Sequence, residues 1–371
     1  MWKVKIKTLL PILVMLGSIS SAHAWDKGIY LTQYMLEKPD KLNYLIREAK
    51  ATGLNTFVID HEYMSSHYAP AIAKVKAAGI KVVTRVVIFD NGGNAKEIKS
   101  QDYWEQRYKL IADAIKNGSD AVQLDYIRYS SKAPANPQHA KDVYQIIKWY
   151  KAKINALNTP MEIDIFGEVS YHPSLHIGQD LTMFADSVDG MNPMVYPSHF
   201  WPHQKYDVVP YKTINDSLNA LVGHFNGKPP FKVHAFIEAA NFHYVKKTSN
   251  AEKQKYLLQE IRGVENAKGV SGWYVWSANN VYENLFQVLK NNKIKSADFT
   301  ETKTAEAKPI ETKTTEKKPI DTKSTPAKTA EIAPAKIQPT DTKTAETKPI
   351  ETKPAATTLP YHAMEIFNLI F

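Results

Sequence analysis

The sequence predicts an α/β fold, a single (β/α)8 TIM barrel, and three observations carry that prediction. About 270 residues between Trp25 and Lys295 have globular composition, the usual size of one such barrel. Along them eight strand-like runs alternate with helix-like runs, the pattern of a parallel sheet closed through crossover helices. The main rival, a doubly wound open sheet, wants a glycine-rich phosphate loop after its first strand, and Leu31-Thr32-Gln33 is not one.

In chain order the predicted strands are 28–33, 55–60, 81–89, 121–126, 161–167, 187–195, 231–238 and 272–276. Each is a short run rich in β-branched, aromatic or other apolar residues. The predicted helices are 41–52, 103–117, 140–157, 217–225 and 251–266, where apolar residues recur at spacings of three and four. Gly53, Gly79 and Gly118 stand where helices stop.

The two ends of the chain differ from this middle. Lys3, Lys5 and Lys7, the apolar run 9–19 and Ala22-His23-Ala24 predict a secretory signal over 1–24, with the mature chain starting at Trp25. That run is too short for a membrane span. Residues 296–360 repeat a Glu-Thr-Lys-Pro-Ile unit imperfectly and carry no aromatic side chain after Phe299, so they predict a disordered linker or stalk. Residues 361–371 turn apolar again, as a short docking element or an envelope-sorting tag. The expected location is secreted, periplasmic or cell-envelope, with envelope attachment through the C-terminal tail.

Composition excludes several classes. The 371 residues are 43% hydrophobic, which rules out a wholly disordered chain. There is no cysteine, hence no disulfide, thiolate zinc site or cysteine nucleophile. The formal net charge of +9 falls to about +6 once the three signal lysines leave, and no basic run argues for nucleic acid.

Barrel enzymes work at the C-terminal ends of their strands. Five of the eight predicted strand ends carry a carboxylate: Asp60, Asp90, Asp125, the Asp164–Glu168 stretch and Glu238. Crowded carboxylates raise one another's pKa, which suits a site where one group holds a proton and another attacks or activates water. Glycosidases use such a pair. Tyr126, Tyr129, Tyr196, Trp201, Trp273 and Trp276 offer flat apolar faces with polar edges, fit for sugar rings.

The segment Gln123-Leu124-Asp125-Tyr126-Ile127-Arg128-Tyr129 resembles the Q-F-D-Y-I-R-F-P strand of a bacterial family of glycoside-hydrolase-like TIM-barrel domains. Further blocks agree in order. Val58-Ile59-Asp60 resembles V-I-D-x-K, residues 84–89 resemble A-R-I-V-V-F, and Asp164-Ile165-Phe166-Gly167 resembles D-V-F-G. Ile177-Gly178-Gln179-Asp180 resembles I-G-Q-D, 193–199 resemble P-M-V-Y-P-S-H-Y, and 272–276 resemble the last strand. The resemblance spans nearly the whole middle and implies a TIM barrel related to polysaccharide-cleaving enzymes. Departures stand at His61-Glu62, where the family has a nearby Lys, at Tyr129-Ser130 for Phe-Pro, and at Ile237-Glu238 for Leu-Gln. A Glu for a Gln changes the charge of the pocket.

The expected catalytic residues are Asp125, as nucleophile or general base, and Asp164 or Glu168, as general acid. Gln123 shares a strand face with Asp125, whose structural alternative is a buried pair with Arg128. Asp164, Phe166 and Glu168 share parity, so only one or two of them reach the reacting layer. Asp60, Arg128, Tyr196, His199, Glu238 and Trp276 are expected to hold substrate. For Asp60 the alternative is barrel-core hydrogen bonding, and for Glu238 an exposed loop position. Trp273 is assigned to the core. His61, His203 and His243 lack metal-ligand spacing, Ser198 lacks a nucleophile elbow, and no cofactor or metal is implied. The function expected is a secreted glycoside hydrolase acting on a polysaccharide or cell-envelope glycan. The alternatives are a non-catalytic carbohydrate-binding barrel tethered to the envelope and, more weakly, a metal-dependent deacetylase or hydrolase.

Overall fold

The computed structural model describes residues 25–239 and 249–292. The expected signal and tail segments, and Asn241 and His243 beyond the seventh strand, lie outside the described residues.

Eight parallel strands close into a barrel in chain order: β1 (Asp26–Leu31), β2 (Thr56–Asp60), β3 (Lys81–Val87), β4 (Ala121–Asp125), β5 (Met161–Phe166), β6 (Gly190–Met194), β7 (Lys232–Glu238) and β8 (Gly272–Trp276). β8 pairs back onto β1, Ile29 lying opposite Val275. The longer helices are α1 (Pro39–Thr52), α2 (Tyr68–Ala77), α3 (Gln101–Lys116), α4 (Gln138–Asn155), α5 (Pro210–Gly223), α6 (Asn250–Glu265) and α7 (Glu283–Asn292). The five predicted helices lie within α1, α3, α4, α5 and α6, give or take two residues. Between β5 and β6 the crossover is a 3-10 turn, Gly167–Ser170, and a single helical turn, Leu181–Phe184. No helix among the described residues is long and apolar enough to cross a membrane.

Local chemistry explains the boundaries. α1 starts on Pro39, whose missing N–H costs nothing at a first helical position, and ends at Gly53 with φ 78°, a left-handed cap. Gly79 and Gly118 are left-handed as well. α6 opens with a reciprocal capping box between Ser249 and Glu252.

Alternation along the strands divides the molecule into two cores. Ile29, Phe57, Val82, Leu124, Ile163, Val233 and Trp273 face outward into the layer beneath the helices, and all are fully buried. Trp273 is thus core. The inward side chains include Tyr30, Val58, Val83, Ala121, Phe236 and Tyr274, a small apolar cluster at mid-barrel. The inward positions nearer the strand ends are polar, and there the barrel carries its chemistry.

Candidate active site

Arg85 is the centre of the site, and the strand-end list above does not contain it. It lies on β3, opposite Asp60 of β2. Its Nη1 donates to Asp60 Oδ1 at 2.5 Å, and its Nη2 and Nε donate to Asp125 Oδ2 at 2.5 and 2.9 Å. Asp164 Oδ2 stands 3.9 Å from the same Nε. One guanidinium therefore serves carboxylates from three strands, with the Tyr30 ring 5.5 Å below it and the Tyr30 hydroxyl donating to Asp60. The burial alternative for Asp125 holds in altered form: its counter-ion is Arg85, not Arg128.

The chain leaves β4 through a strained turn. Tyr126 has φ 53°, in the left-handed region a non-glycine residue seldom occupies, and its N–H donates to Asp125 Oδ1 at 2.6 Å. Arg128 is turned back over the Tyr126 and Phe166 rings, at 4.9 and 5.3 Å, while its Nη1 donates to Tyr129 O. It borders the cleft as a stacked cation.

On β5, Asp164 is 2% exposed. Burial pushes its carboxyl well above the ordinary range, and the neighbouring Asp125 charge adds to the effect. Asn192 Nδ2 reaches Asp164 Oδ1 at 3.3 Å and Glu162 Oε2, one layer down, at 3.1 Å. Gln179 clamps this strand end, accepting from Phe166 N–H at 2.9 Å and donating to Asp164 O at 3.1 Å. Residues 177–180 thus brace β5, and Asp180 caps the turn that follows. Gly167 is needed because a Cβ there would stand 2.7 Å from Met194 O and from the Phe200 ring.

The strand ends at Phe166, so alternation stops there and the 3-10 turn carries Glu168 out of the cleft. Glu168 lines an adjoining groove with His172, Ser174 and His176, and Phe166 borders both spaces. Burial raises the Glu168 carboxyl too. The structure brings Asp125 and Asp164 together and keeps Glu168 apart.

On the far wall Tyr196 stacks on Trp276 at 5.5 Å and meets His199 edge-on at 4.9 Å. Glu238 lies behind this wall and is 1% exposed, so it is not a loop residue. It accepts from Ser198 N at 3.1 Å and from Ser198 Oγ at 2.8 Å, which fixes the loop carrying Tyr196 and His199. Burial pushes its carboxyl up to about 8, with the Asp207 charge adding to it, against the two Ser198 hydrogen bonds. Asp60 is likewise raised by burial, partly offset by Arg85.

Of the nine expected site residues, Asp125, Asp164, Arg128, Tyr196, His199 and Trp276 line one cleft of ≈ 690 Å³ at the C-terminal end of the barrel. Asp60 lies behind Arg85, and Glu238 behind the β6 loop. A larger polar depression, ≈ 1090 Å³, opens at the N-terminal end around Lys81, Glu162 and Lys232. It is remote from the convergent carboxylates, so the smaller cleft is the candidate active site. Among the described residues no group of three His, Cys, Asp or Glu side chains is arranged to hold a metal ion.

Fold and site together define a barrel of the glycoside-hydrolase class. The chain belongs to the family described as "Putative glycosyl hydrolase domain", whose sequence model matches residues 92–282. The solved structures it resembles include the endo-β-1,4-mannanase of Thermotoga petrophila (14% identity, TM-score 0.54, covering 76% of this chain and 79% of that one). They also include the spore cortex-lytic enzyme SleL of Bacillus cereus (10% identity, TM-score 0.50, 72% and 74%) and a chitinase of Chromobacterium violaceum (13% identity, TM-score 0.50, 73% and 100%). At these identities the likeness is one of fold. No curated protein matches the chain.

Proposed function

We propose that the protein is a secreted or cell-envelope enzyme that cleaves a polysaccharide or envelope glycan with Asp125 and Asp164 as its working carboxyls. The convergence of Asp60, Asp125 and Asp164 on Arg85 supports this reading. Three carboxylates around one guanidinium carry a surplus of negative charge, which one retained proton relieves. Asp164, the most deeply buried of those lining the cleft, retains it and serves as general acid to the leaving oxygen. Arg85 supplies the counter-charge to Asp125.

The separation of the two carboxyls distinguishes Asp125 as nucleophile from Asp125 as base. Arg85 Nε lies 2.9 Å from Asp125 Oδ2 and 3.9 Å from Asp164 Oδ2, so those oxygens stand at most about 6.8 Å apart. Retaining glycosidases space their carboxyls about 5–5.5 Å apart and inverting ones about 6.5–9.5 Å. That ceiling joins one oxygen of each carboxyl and admits both spacings, so the anomer of the product decides between nucleophile and base. Of the four lone-pair sites on Asp125, Arg85 takes two on Oδ2 and Tyr126 N–H one on Oδ1. The site left for attack is on Oδ1. Tyr196 and Trp276 supply a sugar-stacking wall, Arg128 a cation at its edge, and Glu238 holds Ser198 so that this wall stays in place.

The heavy engagement of Asp125 also suits the second reading, a non-catalytic carbohydrate-binding barrel. Secretion rests on the lysine-flanked apolar run at the start of the sequence, and envelope attachment on the tail. The test is reducing-end release by the mature chain from mannan, chitin and peptidoglycan glycan strands, with the product's first anomer read by NMR. Release is expected, and retained configuration would make Asp125 the nucleophile. Inversion would remove the nucleophile role, and binding of one glycan without any release would favour the binding barrel.

A further inference from the structure

Five aromatic side chains are exposed among the described residues: Tyr34, Tyr63, Tyr171, Trp201 and Tyr211. Four of the five sit on loops at the C-terminal end of the barrel, and their placement is not even. Tyr34 and Tyr63 follow β1 and β2, whereas Tyr171 and Trp201 follow β5 and β6. In a closed barrel of eight strands taken in chain order, these two strand pairs face each other across the mouth. The line between them passes over the cleft, where Arg85, Asp125 and Asp164 lie with Tyr196 and Trp276 at the wall.

The backbone that carries two of these outer aromatics, Tyr63 and Trp201, is anchored. Gln33, 0% exposed, accepts from Glu62 N–H at 2.8 Å and Tyr63 N–H at 3.2 Å and donates to Tyr63 O at 2.9 Å. A buried amide spends its hydrogen-bonding capacity on fixing a loop whose tyrosine ring is 49% exposed. On the other side the Trp201 N–H bonds Glu168, and His203 meets the Trp201 ring edge-on at 5.1 Å. Exposed rings carried on an anchored backbone suit a flat partner with apolar faces and a hydroxylated edge, which is a sugar ring.

We infer that the substrate is a long glycan laid across the barrel mouth, from Tyr63 on one side to Trp201 on the other, and cut internally. This inference rests on the hydrolase reading of the cleft. Platforms on both sides of the working carboxyls require sugars beyond the bond that breaks in both directions, which an enzyme trimming chain ends does not have. The adjoining groove with Glu168 and His172, entered past Phe166, lies on the Trp201 side of that path.

The experiment uses the mature chain, Tyr63→Ala and Trp201→Ala, on mannan, chitin and peptidoglycan glycan strands and on their oligomers of two to eight units. Internal cutting predicts that viscosity or chain length falls early relative to reducing-end release. Each variant is expected to raise KM about three- to tenfold on the longest oligomers, the size of one lost aromatic stack, with the loss shrinking as the chain shortens. Stepwise release from chain ends, or a loss in either variant that is the same at every length, would overturn internal cutting while leaving the hydrolase reading intact. No cleavage of any of these glycans by the unaltered chain would remove the hydrolase reading, and this inference with it.

Discussion

Replacing Arg85 with methionine leaves Asp60, Asp125 and Asp164 without the guanidinium they share. Arg85 is 13% exposed in its side chain and bonds Asp60 and Asp125 directly. Removing one partner of a buried ion pair costs about 3–5 kcal/mol because a charge is left unpaired in a low-dielectric interior. Two pairs are lost, yet the cost is less than double. Asp60 keeps the Tyr30 hydroxyl as a donor, and an orphaned carboxyl takes up a proton instead of staying charged. The loss is therefore pH-dependent, with a definite sign. In the variant the orphaned carboxyls have folded-state pKa values above the unfolded value of about 3.9. The folded state then binds more protons than the unfolded state, so stability is greatest at low pH and falls as pH rises through the folded-state values. Urea unfolding followed by tryptophan fluorescence, at pH 5 and pH 8, measures this. The expected loss at pH 8 is about 3–5 kcal/mol, clearly smaller at pH 5, and partly recovered at pH 8 by Arg85→Met/Asp125→Asn. A loss equal at both pH values, or one below about 1 kcal/mol as for an exposed pair, would refute the reasoning.

Asp164→Asn is expected to lower turnover by about 10²–10⁴-fold, the usual worth of a general acid. It should also leave the protein at least as stable at pH 8, because the raised carboxyl costs stability once pH carries it towards ionisation; marked destabilisation in urea would contradict its assignment as a buried neutral acid. Glu238 is raised from 4.5 to about 8, so unaltered protein should lose stability as pH climbs from about 5 to beyond 8, whereas Glu238→Gln should flatten that decline. Unfolding curves at pH 6 and pH 9 that change in parallel for the two proteins would refute this.

Most of the barrel was legible because its strands, buried on both faces, read as short apolar runs between helices of three- and four-residue spacing. α2 was legible only at its end, where Gly79 stops it. It is ten residues long, its cap residue His67 makes no side-chain capping bond, and its run of alanine, valine and isoleucine gives little contrast between faces. The cleft carboxylates stood out because they end strands. Arg85 did not, since it sits inside a valine-rich strand and reads as part of the sheet, although an arginine between Val83 and Val87 on the inward face calls for acidic partners. Parity alone put Glu168 beside Asp164; the strand's end at Phe166 and the 3-10 turn after it break the period. The family blocks carried more than chemistry, since Gln179 braces β5 through contacts between residues 13 and 15 positions apart, which no local pattern shows.

The most direct measurement compares reducing-end release by the mature chain with that of Asp125→Asn on the same glycan, with binding of that glycan to both proteins measured alongside. If Asp125 works as the nucleophile, release falls by several orders of magnitude while binding persists. Release that survives the substitution, or binding lost together with release, would contradict the role given to Asp125.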